Sequence, residues 1–232
     1  MKTSIKLLCL LAVIALTGMV SIDLLLKEQY EKIDWSNPYQ NFIRKPLPAL
    51  RHVRIMGIPD HQVLIRQNPE SFLLIEPDSR QAQLQTSQKG DTLVVDFSSP
   101  KYNWQSSMYE PWGEWDKNQA DIVLNLPVLN SLDATFGKVV LDGFTADTMT
   151  LTCRRALLKT KHIQVQSTLF VQMQSGSRAW LDADRCGTLV VTARDSAMVS
   201  LEAIKPARLV PTIAPKAELH LRGEQLQGIR AL

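Results

Sequence analysis

Five charged residues recur through the C-terminal half of this 232-residue chain: Asp142, Lys159, Asp182, Glu202 and Arg222. Each follows a short apolar doublet, read as Val139 and Leu141, Ala156 and Leu158, Ala179 and Leu181, Val199 and Leu201, Leu219 and Leu221. If the doublets stack as neighbouring strands about 4.8 Å apart, Asp182 and Glu202 come to roughly the 5 Å separation of a retaining glycosidase's carboxylate pair. The same stacking also makes a solvent-facing ladder in which Lys159 flanks Asp182 and Arg222 flanks Glu202. Each exposed pair in such a ladder contributes about 0–1 kcal/mol, and opposite charges on neighbouring strands favour register without any substrate. The ladder needs nothing further to explain it, so the chain reads as non-enzymatic, with a glycan-active enzyme using Asp182 and Glu202 as the alternative.

Other reactive residue types are scattered. His52, His61, His162 and His220 share no ligand spacing such as H-E-x-x-H, and no G-x-S-x-G or phosphate-cradling glycine loop is present. Asp182-Ala183-Asp184 lacks the remaining ligands of a calcium loop. Cys9, Cys153 and Cys186 have no Cys-x-x-Cys spacing and fall in different slots of the repeat, so neither a zinc site nor a disulfide is expected. No cofactor and no metal are called for. Between 98 and 119 the rhythm breaks, and Trp104, Tyr109, Trp112 and Trp115 gather there, three of the chain's five tryptophans. Aromatic side chains on a loop can stack on sugars or bury at a partner interface. They can equally fold back and cap the open end of a stack.

These residues are carried by a repeat. Leu132-Asp133-Ala134, Leu151-Thr152-Cys153, Val171-Gln172-Met173, Val191-Thr192-Ala193 and Pro211-Thr212-Ile213 follow one another at steps of 19, 20, 20 and 20. The outer residues of each triplet are apolar apart from Pro211 and the middle one is polar, the alternation of a half-buried strand. Self-similarity at a fixed period predicts an all-β, single-chain β-helix or β-solenoid with about twenty residues per coil. Leu132, Leu151, Val171 and Val191 are expected in one inward column. Upstream, Val53 and Ile55, Val63 and Ile65, Leu73 and Ile75, Leu84, then Leu93 and Val95 recur at about ten residues. Pro59-Asp60, Asn68-Pro69, Pro77-Asp78 and Lys89-Gly90-Asp91 supply turn chemistry between them. This half either coils or forms an antiparallel meander.

The N-terminus reads as a membrane element. Lys2 and Lys6 precede the apolar run Leu7 to Ile22, Asp23 interrupts it, and Leu24-Leu25-Leu26 completes it. The run reaches the roughly 17–25 residues of a membrane span if Asp23 sits at the interface. Leu16 to Ser21 offers only a weak cleavage site, which favours an uncleaved anchor over a signal peptide. The basic start places the N-terminus in the cytoplasm and the remainder outside. The expected organisation is an anchor or signal sequence over 1–26, a linker over 27–48 and a β domain over 49–232 with its insertion at 98–119. Without Lys2, Lys6 and Asp23, 24 basic residues face 22 acidic ones. That balance lacks the electrostatic footprint of a nucleic-acid binder.

Several segments together resemble a known family: Val53-Arg-Ile-Met-Gly57, Val63-Leu-Ile-Arg66, Leu84-Gln-Thr, Gly90-Asp-Thr-Leu-Val-Val95, Asp121-Ile-Val-Leu-Asn-Leu-Pro127 and Leu129-Asn-Ser-Leu-Asp133. They are similar to the head GIN domain of auto-transporter adhesins from Bacteroidetes-type bacteria, over about residues 50 to 223. The resemblance implies a β-solenoid exported beyond the inner membrane and brings no catalytic residues with it. The chain departs from the family in lacking its frequent Ser-Gly and Gly-Asn turns. The resulting expectation is a non-enzymatic cell-envelope domain, membrane-tethered, with the inner membrane and periplasm as its location, or the cell surface if the leader is cleaved. Its expected partners are the membrane and a glycan or cell-envelope protein, with no nucleic acid. A membrane-anchored sensing domain is a further alternative, against which the few residues before Leu7 leave no cytoplasmic effector. Oligomeric state and coil hand are open.

Overall fold

The computed structural model describes residues 2–34, 37–77, 84–96 and 120–221. The chain divides into two units, Met1–Asn41 and Phe42–Leu232. The first is built on helix α1 (Lys2–Glu31). Its leucines, isoleucines and valines stand more than half exposed around the whole circumference, from Leu8 at 73% to Val20 at 57%. A helix apolar on every side has no polar face to give to water. By length and composition, its Ile5–Glu31 stretch can cross a membrane or serve as a signal sequence. The helix closes in polar sequence, where Lys32 Nζ bonds Glu28 Oε1 at 2.8 Å.

The second unit is mostly strand: β1 (Ile43–Pro46), β2 (His52–Gln67), β3 (Phe72–Ile75), β4 (Gln85–Lys89), β5 (Thr92–Asp96), β6 (Ile122–Leu126), β7 (Ser131–Asp142) and β8 (Thr145–Arg154). After these come β9 (Leu157–Lys161), β10 (Ile163–Gln174), β11 (Arg178–Leu181), β12 (Ala183–Ala193), β13 (Met198–Leu201), β14 (Pro206–Ile213) and β15 (Glu218–His220). They join in one open 15-stranded sheet.

From β7 onward the pairing is parallel and follows the repeat. Leu132 pairs with Leu151, Leu151 with Val171, Val171 with Val191 and Val191 with Pro211. The next inward slot runs Ala134, Cys153, Met173, Ala193, Ile213. The first four members of each slot are at most 1% exposed, so the expected inward column is present. Upstream it continues through Val53 and Ile55 of β2 to Leu93 and Val95 of β5. A second ladder carries Val139, Leu158, Ala179, Val199 and Leu219. A third, shorter pairing joins Ala146, Val165, Cys186 and Pro206.

The second ladder corrects one repeat of the sequence reading. Val139 pairs with Leu158 and Leu141 with Thr160, so Leu158 and Thr160 form that doublet in place of Ala156 and Leu158. Thr160 thus fills an otherwise apolar slot and is fully buried. Its hydroxyl donates to the Asp182 carbonyl and accepts from the Asp182 amide, both at 2.9 Å. A β-branched side chain of valine's shape fits there because both of its polar valences are met.

The N-terminal half mixes both expected arrangements. β2 is a single 16-residue strand that carries Val53, Ile55, Val63 and Ile65 together. The Pro59-Asp60 turn is therefore not a hairpin: the register with β7 jumps between Ile58 and Gln62, and the residues between them form a bulge. β5 and β6 pair parallel to the two halves of β2. β4 pairs antiparallel with β5, β3 with β6, and β1 with β3. Both faces of β3 and β6 are covered, since every residue of each is buried.

A second bulge lies between β10 and β12, where Gln166 and Ser167 stand opposite Gly187 alone. A Cβ on Gly187 would run into the backbone carbonyl oxygens of both. Gly187→Ala is therefore expected to lower unfolding stability by about 1–3 kcal/mol through forced backbone displacement, measured by chemical denaturation of the full chain in nonionic detergent. Wild-type stability would show that the bulge tolerates the methyl group.

Candidate functional site

The corner between the second ladder and the next strand carries the carboxylates. Leu181 and Ala183 are both buried, as are Leu201 and Ile204, so Asp182 and Glu202 stand on the outer side of their turns. Leu181 pairs with Leu201, and the Glu202 amide donates to the Leu181 carbonyl at 2.8 Å, which brings Asp182 and Glu202 together as the spacing implied. Lys159 does not flank Asp182. The two-residue shift in that repeat places it between Val140 and Trp180 instead. The corner neighbour is His162, whose Nδ1 lies 3.0 Å from Asp142 Oδ1. Asp142, His162, Asp182 and Glu202 thus recur every twenty residues, while Arg222 lies outside the described residues. Glu202 Oε1 accepts from Ser200 Oγ at 2.8 Å. Among the described residues no cluster of three His, Cys, Asp or Glu has metal-binding geometry.

His162 is held with its pKa above the usual imidazole value, first by the hydrogen bond and charge of Asp142, then by Asp184 and Asp182. The two buried thiols go the other way from reactivity. Burial pushes Cys153 up to about 12, helped by the Asp133 carboxylate, and Cys186 up to about 11. Cys153 registers with Ala134 and Met173, and Cys186 with Val165 and Pro206. They occupy different ladders and both are free.

The outer face of the second ladder holds a residue that the repeat pattern passed over. Ala179 and Leu181 are fully buried, so alternation turns Trp180 outward. It is half-buried, in register with Lys159 on one side and Ser200 on the other. The adjoining row is Lys138, Leu157, Arg178, Met198 and Glu218. Beyond Ser200 lies His220, whose Nε2 is 2.8 Å from Glu218 Oε2. Leu157 and Val140 also face outward yet are only 1% and 5% exposed, so this face has an apolar floor beneath its polar side chains. An indole on a rigid sheet, surrounded by ammonium, hydroxyl and guanidinium donors, can stack on a flat apolar face while the donors bond peripheral oxygens. The signal in the sequence was a tryptophan in a slot that is polar in neighbouring repeats. The aromatic residues expected to make contacts, Trp104, Tyr109, Trp112 and Trp115, lie outside the described residues, between β5 and β6.

No family model and no curated protein matches the chain. Solved structures similar to it include a "putative adhesin" from Bacteroides fragilis, 15% identical over 79% of this chain and 98% of that one, with a TM-score of 0.38. A "putative lipid binding protein" from Parabacteroides distasonis is 12% identical over 78% and 94%, with a TM-score of 0.34. A "putative adhesin" from Parabacteroides merdae is 7% identical over 78% and 95%, with a TM-score of 0.30. Values this low transfer neither a family nor a function.

Two outcomes follow for the titrating groups. Neither Cys153 nor Cys186 is expected to react with a thiol reagent until the chain unfolds, since the thiolate is the nucleophile; rapid labelling of the native protein by mass spectrometry would contradict this. Because the folded pKa of His162 is raised, its small stabilisation is present below about pH 6.5 and is lost as pH rises through the folded value. An NMR titration is expected to show its midpoint falling in Asp142→Asn, and an unmoved midpoint would discount the pair.

Proposed function

We propose that the protein is a non-enzymatic glycan-binding module of the cell envelope. Residues 1–26 act as the membrane anchor, 27–48 as a linker, and 49–232 as an exported β-solenoid of about twenty residues per coil on the far side of the inner membrane. The in-register parallel ladders support the solenoid, and the apolar circumference of α1 supports the tether. The observation that carries the binding reading is Trp180, turned outward on a rigid strand between Lys159 and Ser200. Sugars combine an apolar ring face with a rim of hydroxyl groups, which matches an indole ringed by donors. Trp104, Tyr109, Trp112 and Trp115 of the 98–119 insertion belong to the same proposal as additional contact residues.

A glycan array probed with the full chain in nonionic detergent tests this directly. Specific binding is expected, and Trp180→Ala is expected to weaken it by about tenfold or more, equivalent to about 1.4 kcal/mol. An array without signal, or a Trp180→Ala variant that binds like the wild type, would remove the assignment.

A further inference from the structure

The opposite border of the Trp180 face is a ridge of cations. Arg154, Arg155, Arg178 and Arg194 are exposed there, and Lys138 is half-buried beside them. They stand on consecutive repeats at the turn that joins the first ladder to the second. Thr135 registers with Arg154 and Arg154 with Gln174, while Lys138 registers with Leu157 and Leu157 with Arg178. The Arg155 amide donates to the Gln174 carbonyl, the Arg178 amide to Ala156 and the Arg194 amide to Met173, at 3.4, 3.0 and 2.9 Å. Each cation is thus tied by its own backbone to the neighbouring repeat, and adjacent repeats are about 4.8 Å apart.

Two features mark this ridge: its arginines cluster unpaired at one turn, and that turn holds bulky residues in a rare backbone conformation. Arg44 pairs with Glu70, and Arg54 with Asp133 at 3.2 Å, whereas Arg51, Arg185 and Arg208 have no ion pair among the described residues. Among the described residues, Arg154, Arg155, Arg178 and Arg194 have no ion pair, although Asp195 lies on the same turn. The turn also holds large residues in the left-handed region, Phe136 at φ 55° and Arg155 at φ 50°, where later repeats use Ser175, Gly176, Asp195 and Ser196. Arg155 lies over the Phe136 ring, 5.4 Å from its centroid. Backbone conformations unfavourable to bulky side chains persist where the surroundings impose them, and they concentrate at binding sites.

We infer that this ridge binds an acidic polysaccharide, with carboxylates on successive sugars meeting Arg154, Arg155, Arg178 and Arg194 on successive repeats. The inference rests on the glycan-binding reading and gives its ligand a charge. Guanidinium and carboxylate match as bidentate, charge-assisted hydrogen-bonding partners. Arg178 ties the ridge to the sugar-stacking face, because it is two residues from Trp180 on the same outer side of β11. Without Lys138, Arg154, Arg155, Arg178 and Arg194, the chain beyond Lys2, Lys6 and Asp23 holds 24 − 5 = 19 basic residues against 22 acidic ones, unlike the broadly basic composition that nucleic-acid binding favours.

Interferometry on the full chain in nonionic detergent, with polygalacturonate and neutral dextran as probes, tests the ridge. The wild type is expected to bind polygalacturonate at least about tenfold more tightly than dextran and to weaken several-fold between about 50 and 300 mM salt. The triple variant Arg154→Ser, Arg178→Ser, Arg194→Ser is expected to lose that preference with an unchanged circular dichroism spectrum. The single reversal Arg194→Glu is expected to lose a measurable part of it, and Lys89→Ser on β4 none. No binding of polygalacturonate, equal binding of dextran, or a triple variant within about twofold of the wild type would overturn the ridge. So would tighter binding of duplex DNA or of phosphatidylglycerol vesicles. Dextran binding that depends on Trp180 without a preference for polygalacturonate would leave the glycan reading standing and remove only the ridge. Loss in the arginine variants with no effect of Trp180→Ala would leave the ridge standing and remove Trp180 from the site.

Discussion

Parallel in-register stacking of the same side-chain slot is the constraint on which the rest of this domain depends. Leu132, Leu151, Val171 and Val191 each have the strand before and the strand after as their neighbours in the column, so no repeat can bury its inner face alone. A slip of one residue in any pair would turn a whole inner row toward water. Shorter loops cannot relieve this, because the slots must return to the same place in every repeat. The register therefore tolerates irregularity only where extra residues can be stored, as in the bulge opposite Gly187 and the one between Ile58 and Gln62. In an inward slot it tolerates a polar side chain at Thr160, where the backbone satisfies the hydroxyl.

Stacking by repetition leaves its two ends unsatisfied, and the two ends are treated differently. At the N-terminal end the chain abandons the parallel pattern. β4 pairs antiparallel with β5, and β3 and β1 extend the sheet antiparallel beyond β6. Successive antiparallel strands let short connections cover an edge that a parallel strand could cover only after another full repeat. At the other end β14 carries Pro206 and Pro211, and Lys205 and Arg208 accompany them. Proline and cationic residues are what edge strands use to resist pairing with a further strand.

Legibility in the sequence follows from how many independent constraints act on a residue. The column through Leu132, Leu151, Val171 and Val191 was readable because burial, alternation and period all select the same positions. The doublet at Ala156 and Leu158 was misread because the true member, Thr160, is polar and its two apolar neighbours imitate the pattern. Val123, Leu74 and Val140 carried no periodic signal of their own, since they lie on strands or outer faces covered from both sides and need no alternation. The ten-residue rhythm upstream was visible, yet its pairing was not. Val53 and Val63 belong to one bent strand, whereas the equally spaced Leu73 and Leu93 belong to strands that pair with different neighbours. Trp180 escaped notice for the opposite reason: a functional candidate on a repeat appears as a departure, and a period is found by discounting departures.

The corner carboxylates show how one spacing acquires different chemistry from its curvature. A retaining glycosidase needs one carboxyl group kept protonated near neutrality, which environments achieve by withdrawing it from water. Asp182 and Glu202 follow the paired Leu181 and Leu201, and both turn outward from buried neighbours on either side. On the outside of a turn, each carboxylate stands partly exposed to water. Along the same corner His162 Nδ1 lies on Asp142 Oδ1, and Ser200 Oγ donates to Glu202 Oε1. The sheet face beside them carries Trp180 in register between Lys159 and Ser200, over the buried Leu157 and Val140. At the corner the backbone turns each carboxylate outward, whereas alternation along β11 puts Trp180 on the sheet face, so one period presents two surfaces of different chemistry.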